Sequence, residues 1–533
     1  MNDFAPRFVG TTAGAEPLTP DLVGSKAAQL WRMSRLGLNV PPAFVLPTTL
    51  CAPVNRNEPD AIEALEQGLR LGIARLEEAT GRRLGDERMP LLVSVRSGAA
   101  QSMPGMLSTI LDVGLNETTV HGLIGMTGNP RLAWDSYRRF VQMYAEVVHD
   151  APAAPFEACL GRMMRAEGAG DETDLDPEAL ERLTQEFRQI AGRAMGTPVP
   201  EEPLAQLTSA ARAVYQSWEA PKAREYRRLN HLDSLAGTAV TVQAMVFGNA
   251  GGRSGAGVAF SRNPATGAKQ LYVDFLFDAQ GEDVVSGRRM PGNGALLTAR
   301  LPQEAKALAE GAARLEQEFR DVQDIEFTVE EGRLYFLQTR SAKRTPRAGL
   351  RILVDLVREG VIDPANALQR LSTVDLERAA VTRFAEAVPA IATATSASPG
   401  VATGRIVFDS KRAVALAERK EPVILVRHDT ATEDVAGFAV AAGILTAVGG
   451  RTAHAAVVAR QLGKVCLVGC RVLRIHDGGR EAEIAGQRIV EGDWLSLDGD
   501  TGEVSLGRRD IVTVVPEAEL AEIESWRRRS SAA

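Results

Sequence analysis

Cysteine, histidine and aromatic residues are scarce in this chain of 533 residues, with four cysteines, six histidines, and Phe, Trp and Tyr together at 5%. Cys51, Cys159, Cys466 and Cys470 form neither a disulfide framework nor a paired CxxC zinc arrangement. Cys466 and Cys470 read as buried small hydrophobes of a strand region rather than as a redox pair. A basic surplus is also missing. With 61 Lys and Arg against 68 Asp and Glu, the formal charge is -7 and is spread along the chain, so nothing recommends nucleic acid as a partner. No apolar run reaches the ~18 residues of a membrane span, and MNDFAPRFVG at the amino terminus has no basic segment followed by an apolar one. The expectation is a cytoplasmic protein with no membrane partner.

What is present predicts several structural units, since a single core rarely organises more than ~250–300 residues. Residues 21–46, DLVGSKAAQLWRMSRLGLNVPPAFVL, give a helix, a glycine stop and a strand after a proline pair. PLLVSVRSGA (90–99) is a second strand. From about 116 to 228 the period becomes helical, with Trp134, Tyr137, Phe140, Val141 and Tyr144 on one stripe, which reads as a helical insertion. Strand-type sequence then returns, and QDIEFTVEEGRLYFLQTR predicts a hairpin turning at Glu330, Glu331 and Gly332. GNAGGRSGAG (248–257) lacks the GxxxxGK[ST] pattern and is expected to be a hairpin turn rather than a phosphate loop.

Residues 1–345 are thus expected to form one region of mixed strands and helices, followed by a helical linker at 346–395. That linker closes with the small and polar AIATATSASPG, which would suit a hinge. A small β/α domain is expected at 396–510, followed by a tail at 511–533 whose final WRRRSSAA is expected to fray.

Three local patterns carry candidate chemistry. In GGRTAHAAVVARQLGK (449–464), a strand and two glycines lead into a helix with His454 at its amino end, where free N–H groups and the helix dipole favour an anion. Asp324 and Glu326 lie two apart on a strand, so both carboxylates face one side, as a Mg²⁺ shared with phosphates would need. Gln338 and Arg340 repeat that spacing on the next strand. Taken alone, a core or capping histidine and solvated strand faces explain these patterns better than a catalytic site does.

GILTAVGGRTAHAAVVARQLGK resembles the phosphohistidine segment of the pyruvate phosphate dikinase family. The resemblance extends, in order, through VGSKAAQLWRMSRLGLNVPPAF, PLLVSVRSGAAQSMPGM, NPRLAWDSYRRFVQMY, GTAVTVQAMVFGN, GVAFSRNPATG, AQGEDVVSG and QDIEFTVEEGRLYFLQTRSAKRT. The fold it implies is α/β and α+β multidomain, an ATP-grasp nucleotide-binding region with a helical insertion followed by a swivelling β/α phosphohistidine domain. It implies ATP and Mg²⁺ as cofactors and His454 as the phosphoryl carrier. Lys26, Arg96, Arg139, Glu282, Gln338 and Arg340 then contact the nucleotide or its phosphates, and Asp324 and Glu326 hold the metal. Arg138 and Arg139 are also natural ion-pair partners on their helix, and Asp274 stands where the family usually has Glu. The family's usual Gly-Gly-Met-Thr-Ser-His differs here at Arg451 and Ala453, and Thr452 is a candidate for regulatory phosphorylation.

Members of the family continue into a (β/α)₈ barrel that binds phosphoenolpyruvate and pyruvate and needs ~250 residues. Only residues 511–533 follow the expected phosphohistidine domain. The implied partners are therefore ATP, inorganic phosphate as co-acceptor, and a phosphoryl acceptor bound elsewhere or carried by a separate subunit; a homodimer is also open. Phenylphosphate synthase and rifampicin phosphotransferase share the two modules with other acceptors, though residues 346–395 are too few for an antibiotic-binding domain. A nucleotide-sensing protein without catalysis is the remaining alternative.

Overall fold

The computed structural model describes residues 4–10, 17–101, 103, 106–285, 292–372, 374, 381–386, 389–429, 434–450, 454–476 and 480–531. The chain divides into two compact units, Met1–Gly251 with Tyr335–Gln338, and Gly252–Leu334 with Thr339–Ala533.

The first unit is built on an antiparallel sheet of β1 (Arg7–Val9), β2 (Ala43–Leu46), β3 (Val93–Ala99), β4 (Thr109–Val113) and β5 (Thr238–Ala244), in the order β1-β2-β5-β3-β4. Between Thr119 and Leu229 the chain is mostly helical. The longest helix of this stretch, Pro130–His149, starts at Asn129, whose side chain accepts from the Leu132 amide, and stops at Asp150 in the left-handed region. All five residues of the predicted stripe are buried, in one core with Phe156, Leu180 and Phe187. At about 1.5–3 kcal/mol for each fully buried large side chain, that stripe outweighs any helix propensity in holding the stretch in place.

The second unit carries a sheet of β6 (Gly255–Phe260), β7 (Tyr272–Phe277), β8 (Gly292–Asn293), β9 (Gln323–Glu330) and β10 (Arg333–Ser341), in the order β10-β9-β6-β7-β8, with Tyr335–Gln338 of β10 counted with the first unit. The hairpin turn falls at Glu331 and Gly332, φ 47° and 78°, the paired positive angles of a type I′ turn. The stretch 248–257 is not a hairpin turn, because β5 and β6 belong to different sheets; it crosses from one unit to the other and ends inside β6. Part of its glycine content has a packing cause. Gly257 pairs with both Phe275 and Phe327, whose rings stack 5.8 Å apart, and a Cβ on Gly257 would lie 2.5 Å from the Phe327 ring.

Residues 346–371 are not a loose tether. The helices Pro346–Arg358 and Pro364–Leu371 bury Leu350, Ile352, Leu353, Leu356 and Leu371 in the second unit's core. The expected frayed tail is also corrected. Glu517–Ser531 is a helix that sinks Ile523 and Trp526 into that core, and Arg358 pairs with Glu522 at 2.6 Å. Its charged ending had masked one apolar face.

The histidine-bearing part is an eight-stranded sheet ordered β12-β22-β21-β14-β15-β16-β17-β13. Its strands are β12 (Ala392–Thr393), β13 (Thr395–Ser398), β14 (Val401–Val407), β15 (Val423–Arg427), β16 (Gly443–Thr446), β17 (Val465–Val468), β21 (Trp494–Asp498) and β22 (Glu503–Leu506). β14 to β17 pair in parallel, as helical crossovers require. A small antiparallel sheet of β18 (Leu473–Ile475), β19 (Glu481–Ile484) and β20 (Gln487–Val490) lies between β17 and β21 in sequence. The small residues at 391–400, expected as a hinge, are mostly in β12 and β13, with Ala392 and Ala397 buried. The chain enters and leaves this part instead through an antiparallel ribbon, β11 (Val381–Phe384) against β23 (Ile511–Val514).

Candidate functional site

In the first unit, the helix Pro20–Arg35 backs onto β3 at a contact that only glycine permits. Gly24 sits at φ 76°, ψ 159°, and a Cβ there would lie 2.0 Å from the Gly98 carbonyl oxygen. The Ser25 hydroxyl donates to the Ala99 carbonyl at 3.0 Å. Lys26 follows at once, and its Cβ lies 3.8 Å from where a Gly98 side chain would begin. Strand alternation puts Arg96 on the same face of β3 as that vacant Gly98 direction, so Lys26 and Arg96 start from one side of the sheet. Thr241 is directly opposite Arg96 on β5, and its buried hydroxyl has no hydrogen-bond partner among the described residues. Two cations and a spare hydroxyl on one face suit an anionic ligand.

Arg139 is placed differently. Its Nε donates to Asp135 at 2.9 Å and its Nη2 reaches Glu172 at 3.5 Å, while Arg138 holds the same two carboxylates. Burial alone would raise the Asp135 carboxyl, but Arg138 and Arg139, with Arg131, hold it well below the usual carboxylate range. Both arginines thus fasten the Pro130–His149 helix to the Glu172 turn.

In the second unit, the register of three strands aligns the acidic residues. Val258 pairs with Asp274 on one side and Glu326 on the other, and Phe260 pairs with Tyr272 and Asp324. Directly paired residues share a face, so Asp274, Asp324 and Glu326 all stand on the face opposite the Phe275–Phe327 stack. Arg340 Nε donates to Asp324 Oδ2 at 2.8 Å, whereas Oδ1 is buried without a hydrogen-bond partner among the described residues. Burial raises the Asp324 carboxyl above its ordinary value; Arg340 opposes this and Glu326 adds to it.

This donor set fits Mg²⁺. Carboxylate oxygens are hard ligands, and Asp324 keeps one buried lone-pair oxygen unused. No group of three or more His, Cys, Asp and Glu side chains able to hold a metal occurs among the described residues. An ion held by one or two carboxylates and completed by phosphates needs no such cage.

Gln338 is buried on β10, where the neighbouring Phe336 amide donates to the Asn39 carbonyl at 2.9 Å. Glu282 lies in the short helix Gly281–Val285, but its side chain falls outside the described residues. His454 is the first residue of the helix His454–Leu462, which follows β16 and Gly449 at φ 104°. Its side chain, and Arg451, Thr452 and Ala453 entirely, lie outside the described residues.

Two cations near Asp324 were not singled out from the sequence. Lys343 lies within electrostatic reach of Arg340 and Asp324. Arg460, on the His454 helix, lies within reach of Asp274 and Asp324. In HAAVVARQLG, one arginine in an apolar helix carries no mark that separates a buried position from a solvated one.

Residues 63–299 and 297–359 match the family model described as pyruvate phosphate dikinase, AMP/ATP-binding domain, and residues 419–502 match that of the PEP-utilising enzyme, mobile domain. The order of the matches defines a mixed α/β multidomain chain in which a nucleotide-binding region precedes a mobile domain. Pyruvate, phosphate dikinase 2 of Zea mays is 44% identical over 514 residues, 95% of this chain and 58% of that protein. Pyruvate, phosphate dikinase of Clostridium symbiosum is 44% identical over 492 residues, 91% of this chain and 56% of that protein. The chloroplastic enzyme of Flaveria pringlei is 43% identical over 509 residues, 95% and 53% of the two chains. The chain belongs to the pyruvate phosphate dikinase family, and it spans between 53% and 58% of the length of these relatives. No helix among the described residues is long and apolar enough to cross a membrane.

Proposed function

We propose that this chain is an ATP-dependent phosphotransferase that forms a phosphohistidine at His454 and passes the phosphoryl group to an acceptor bound elsewhere. The observation that carries the reading is the acidic face of Asp274, Asp324 and Glu326 in the same unit as a histidine that opens a helix after a glycine turn. The match to an AMP/ATP-binding domain followed by a mobile domain supports it.

Lys26 and Arg96 bind phosphate oxygens, the lysine as a point charge and the arginine as a planar fork, and Gln338 and Arg340 act on the terminal phosphates. Glu282 serves the nucleotide. Arg139 is left as a structural residue, its guanidinium being taken up by Asp135 and Glu172. Asp324 and Glu326 would hold Mg²⁺, which neutralises phosphate charge when bound. The His454 imidazole, as the neutral nucleophile, forms an N–P bond to the β-phosphorus of ATP while the bond from that phosphorus to the α-phosphate oxygen breaks and AMP leaves. Inorganic phosphate then takes the terminal phosphoryl group as pyrophosphate, leaving one phosphoryl group on His454. The β11–β23 ribbon is the pivot on which the histidine-bearing part moves to the acceptor, a small hydroxylated or enolate compound or one held by a separate subunit. The reading places the protein in the cytoplasm.

The test uses Mg²⁺ and ATP labelled separately at the β and γ positions, with and without inorganic phosphate. The expected result is an acid-labile β label on the protein, phosphate-dependent AMP and pyrophosphate, and no label in His454→Ala with ATP affinity retained. Nucleotide binding without transfer would replace this reading with a nucleotide sensor, and label persisting in His454→Ala would remove His454 as carrier.

A further inference from the structure

Arg460 is one of the two largest fully buried side chains among the described residues, 1% exposed. It stands on the His454 helix but is buried by residues from two sources. Its Nη1 donates to the Ala397 carbonyl at 2.9 Å, inside the histidine-bearing part. Its guanidinium carbon lies 5.8 Å from the ring centroid of Phe260, on β6 of the acidic sheet. Phe260 is the residue that pairs with Tyr272 and Asp324, so the arginine is seated on the face that carries the carboxylates. The groups that act on it electrostatically include Tyr272, Cys466 and, among the carboxylates of that face, Asp274 and Asp324.

Removing an arginine from water costs several kcal/mol unless carboxylates offset it, and the net worth of such a pair is small beside its demand for one geometry. That balance suits a contact that must form and release. Other polar contacts between the same two parts include the Tyr272 hydroxyl donating to the Ser396 carbonyl at 3.2 Å and Arg347 meeting Asp500 at 3.6 Å. A cavity of about 510 Å³ is lined in part by Asp321, Arg344, Arg370 and, from the histidine helix, Gln461.

We propose that Arg460 is a positioning residue that seats the histidine helix on the acidic face of the nucleotide sheet through Asp274 and Asp324. Arg460 is six residues from His454, about 9 Å along the helix axis at 1.5 Å per residue, so fixing one end of the helix fixes the other. The role given to that placement rests on the phosphotransfer reading above; the docking contact itself does not.

The test is made on the full chain without nucleotide. Cysteines introduced by Arg347→Cys and Asp500→Cys are joined with a short bifunctional maleimide, the four native cysteines being buried. Docking through Arg460 is expected to give high cross-link yield in the parent and in Arg460→Lys, and at least a several-fold lower yield in Arg460→Gln. Since Arg460 also braces its own domain through Ala397, Asp274→Asn provides the same loss from the opposite side without altering that domain. Unchanged yields in Arg460→Gln and Asp274→Asn would overturn the proposal. In the labelling assay, Arg460→Gln is expected to slow autophosphorylation about tenfold or more at saturating ATP, with the KM for ATP unchanged and the rate restored by Arg460→Lys. Equal slowing in Arg460→Lys and Arg460→Gln, with a matching fall in Tm, would make the residue merely structural and also overturn it. If the parent itself takes no label, the phosphotransfer reading fails, and the cross-link yields alone decide the docking contact.

Discussion

Arg340 Nε sits 2.8 Å from Asp324 Oδ2, and the second oxygen of that carboxylate is buried without a hydrogen-bond partner among the described residues. The arginine satisfies half of the carboxylate, and the other half is the oxygen that the proposed Mg²⁺ would use. A site built this way is costly to the protein when no cation is bound.

Asp324→Asn follows from that cost. Burial raises the Asp324 carboxyl, with Arg340 opposing, so its ionised form disfavours the folded state, and the penalty appears as pH rises through the raised value. Without metal and nucleotide, the Asn variant is expected to match or exceed the parent in Tm by about 2–4 °C at pH 7–8. The gap should close as pH falls below the carboxylate range, and Mg²⁺-dependent nucleotide binding should be lost. Calorimetry across pH checks the first, and titration with ATP and Mg²⁺ the second. A gap that widens in acid would contradict the account.

Gly24 and Gly98 make a matched pair for denaturation. Gly24→Ala puts a Cβ 2.0 Å from a backbone oxygen at an angle pair reserved for glycine, and should lose about 3 kcal/mol or more of the first unit's stability in urea. Gly98→Ala meets nothing closer than 3.8 Å and should cost less than about 1 kcal/mol. Similar losses in both would mean that the helix-to-strand contact does not carry the Lys26 backbone.

Trp526→Ala tests whether the carboxyl-terminal helix is part of the core. With Trp526 only 3% exposed, truncation should cost about 3–5 kcal/mol in the second unit. Leu71, half exposed in the first unit, should lose less than about 0.5 kcal/mol as Ala. Equilibrium unfolding distinguishes them, and a silent Trp526→Ala would restore the picture of a frayed end.

The four cysteines should be inert in the native state. Burial pushes the Cys51 thiol up to about 11 and the Cys466 thiol up to about 12, and burial together with Glu186 does the same for Cys159 to about 12. Thiolate is the reactive form, so a thiol reagent at pH 8 should label none of them natively and all four in denaturant. One rapidly labelled native thiol would contradict the burial.

Much of the local architecture was legible in the residues. The stripe from Trp134 to Tyr144, the Glu331–Gly332 turn, the Asp324 and Glu326 spacing and the glycine turn before His454 all depend on neighbours within one or two turns of chain, where periodicity and backbone angle act directly. The ordered resemblance extended this to the family. What the residues could not show was which apolar face meets which partner. Glu517–Ser531 ends in arginines and serines, and only the groove beside Pro346–Arg358 reveals that Trp526 is core. The small residues at 391–400 suited a hinge until β12 and β13 found their ladder partners about 70 or more residues away. Asp274 joins Asp324 and Glu326 because both outer strands pair with Val258, and Arg460 is buried because a helix from another part of the chain covers that face. Sequence determined the elements and their chemistry, since those rest on short-range sterics and period. Tertiary structure decided which charges meet, because strand register and domain docking are set by contacts between residues far apart in the chain.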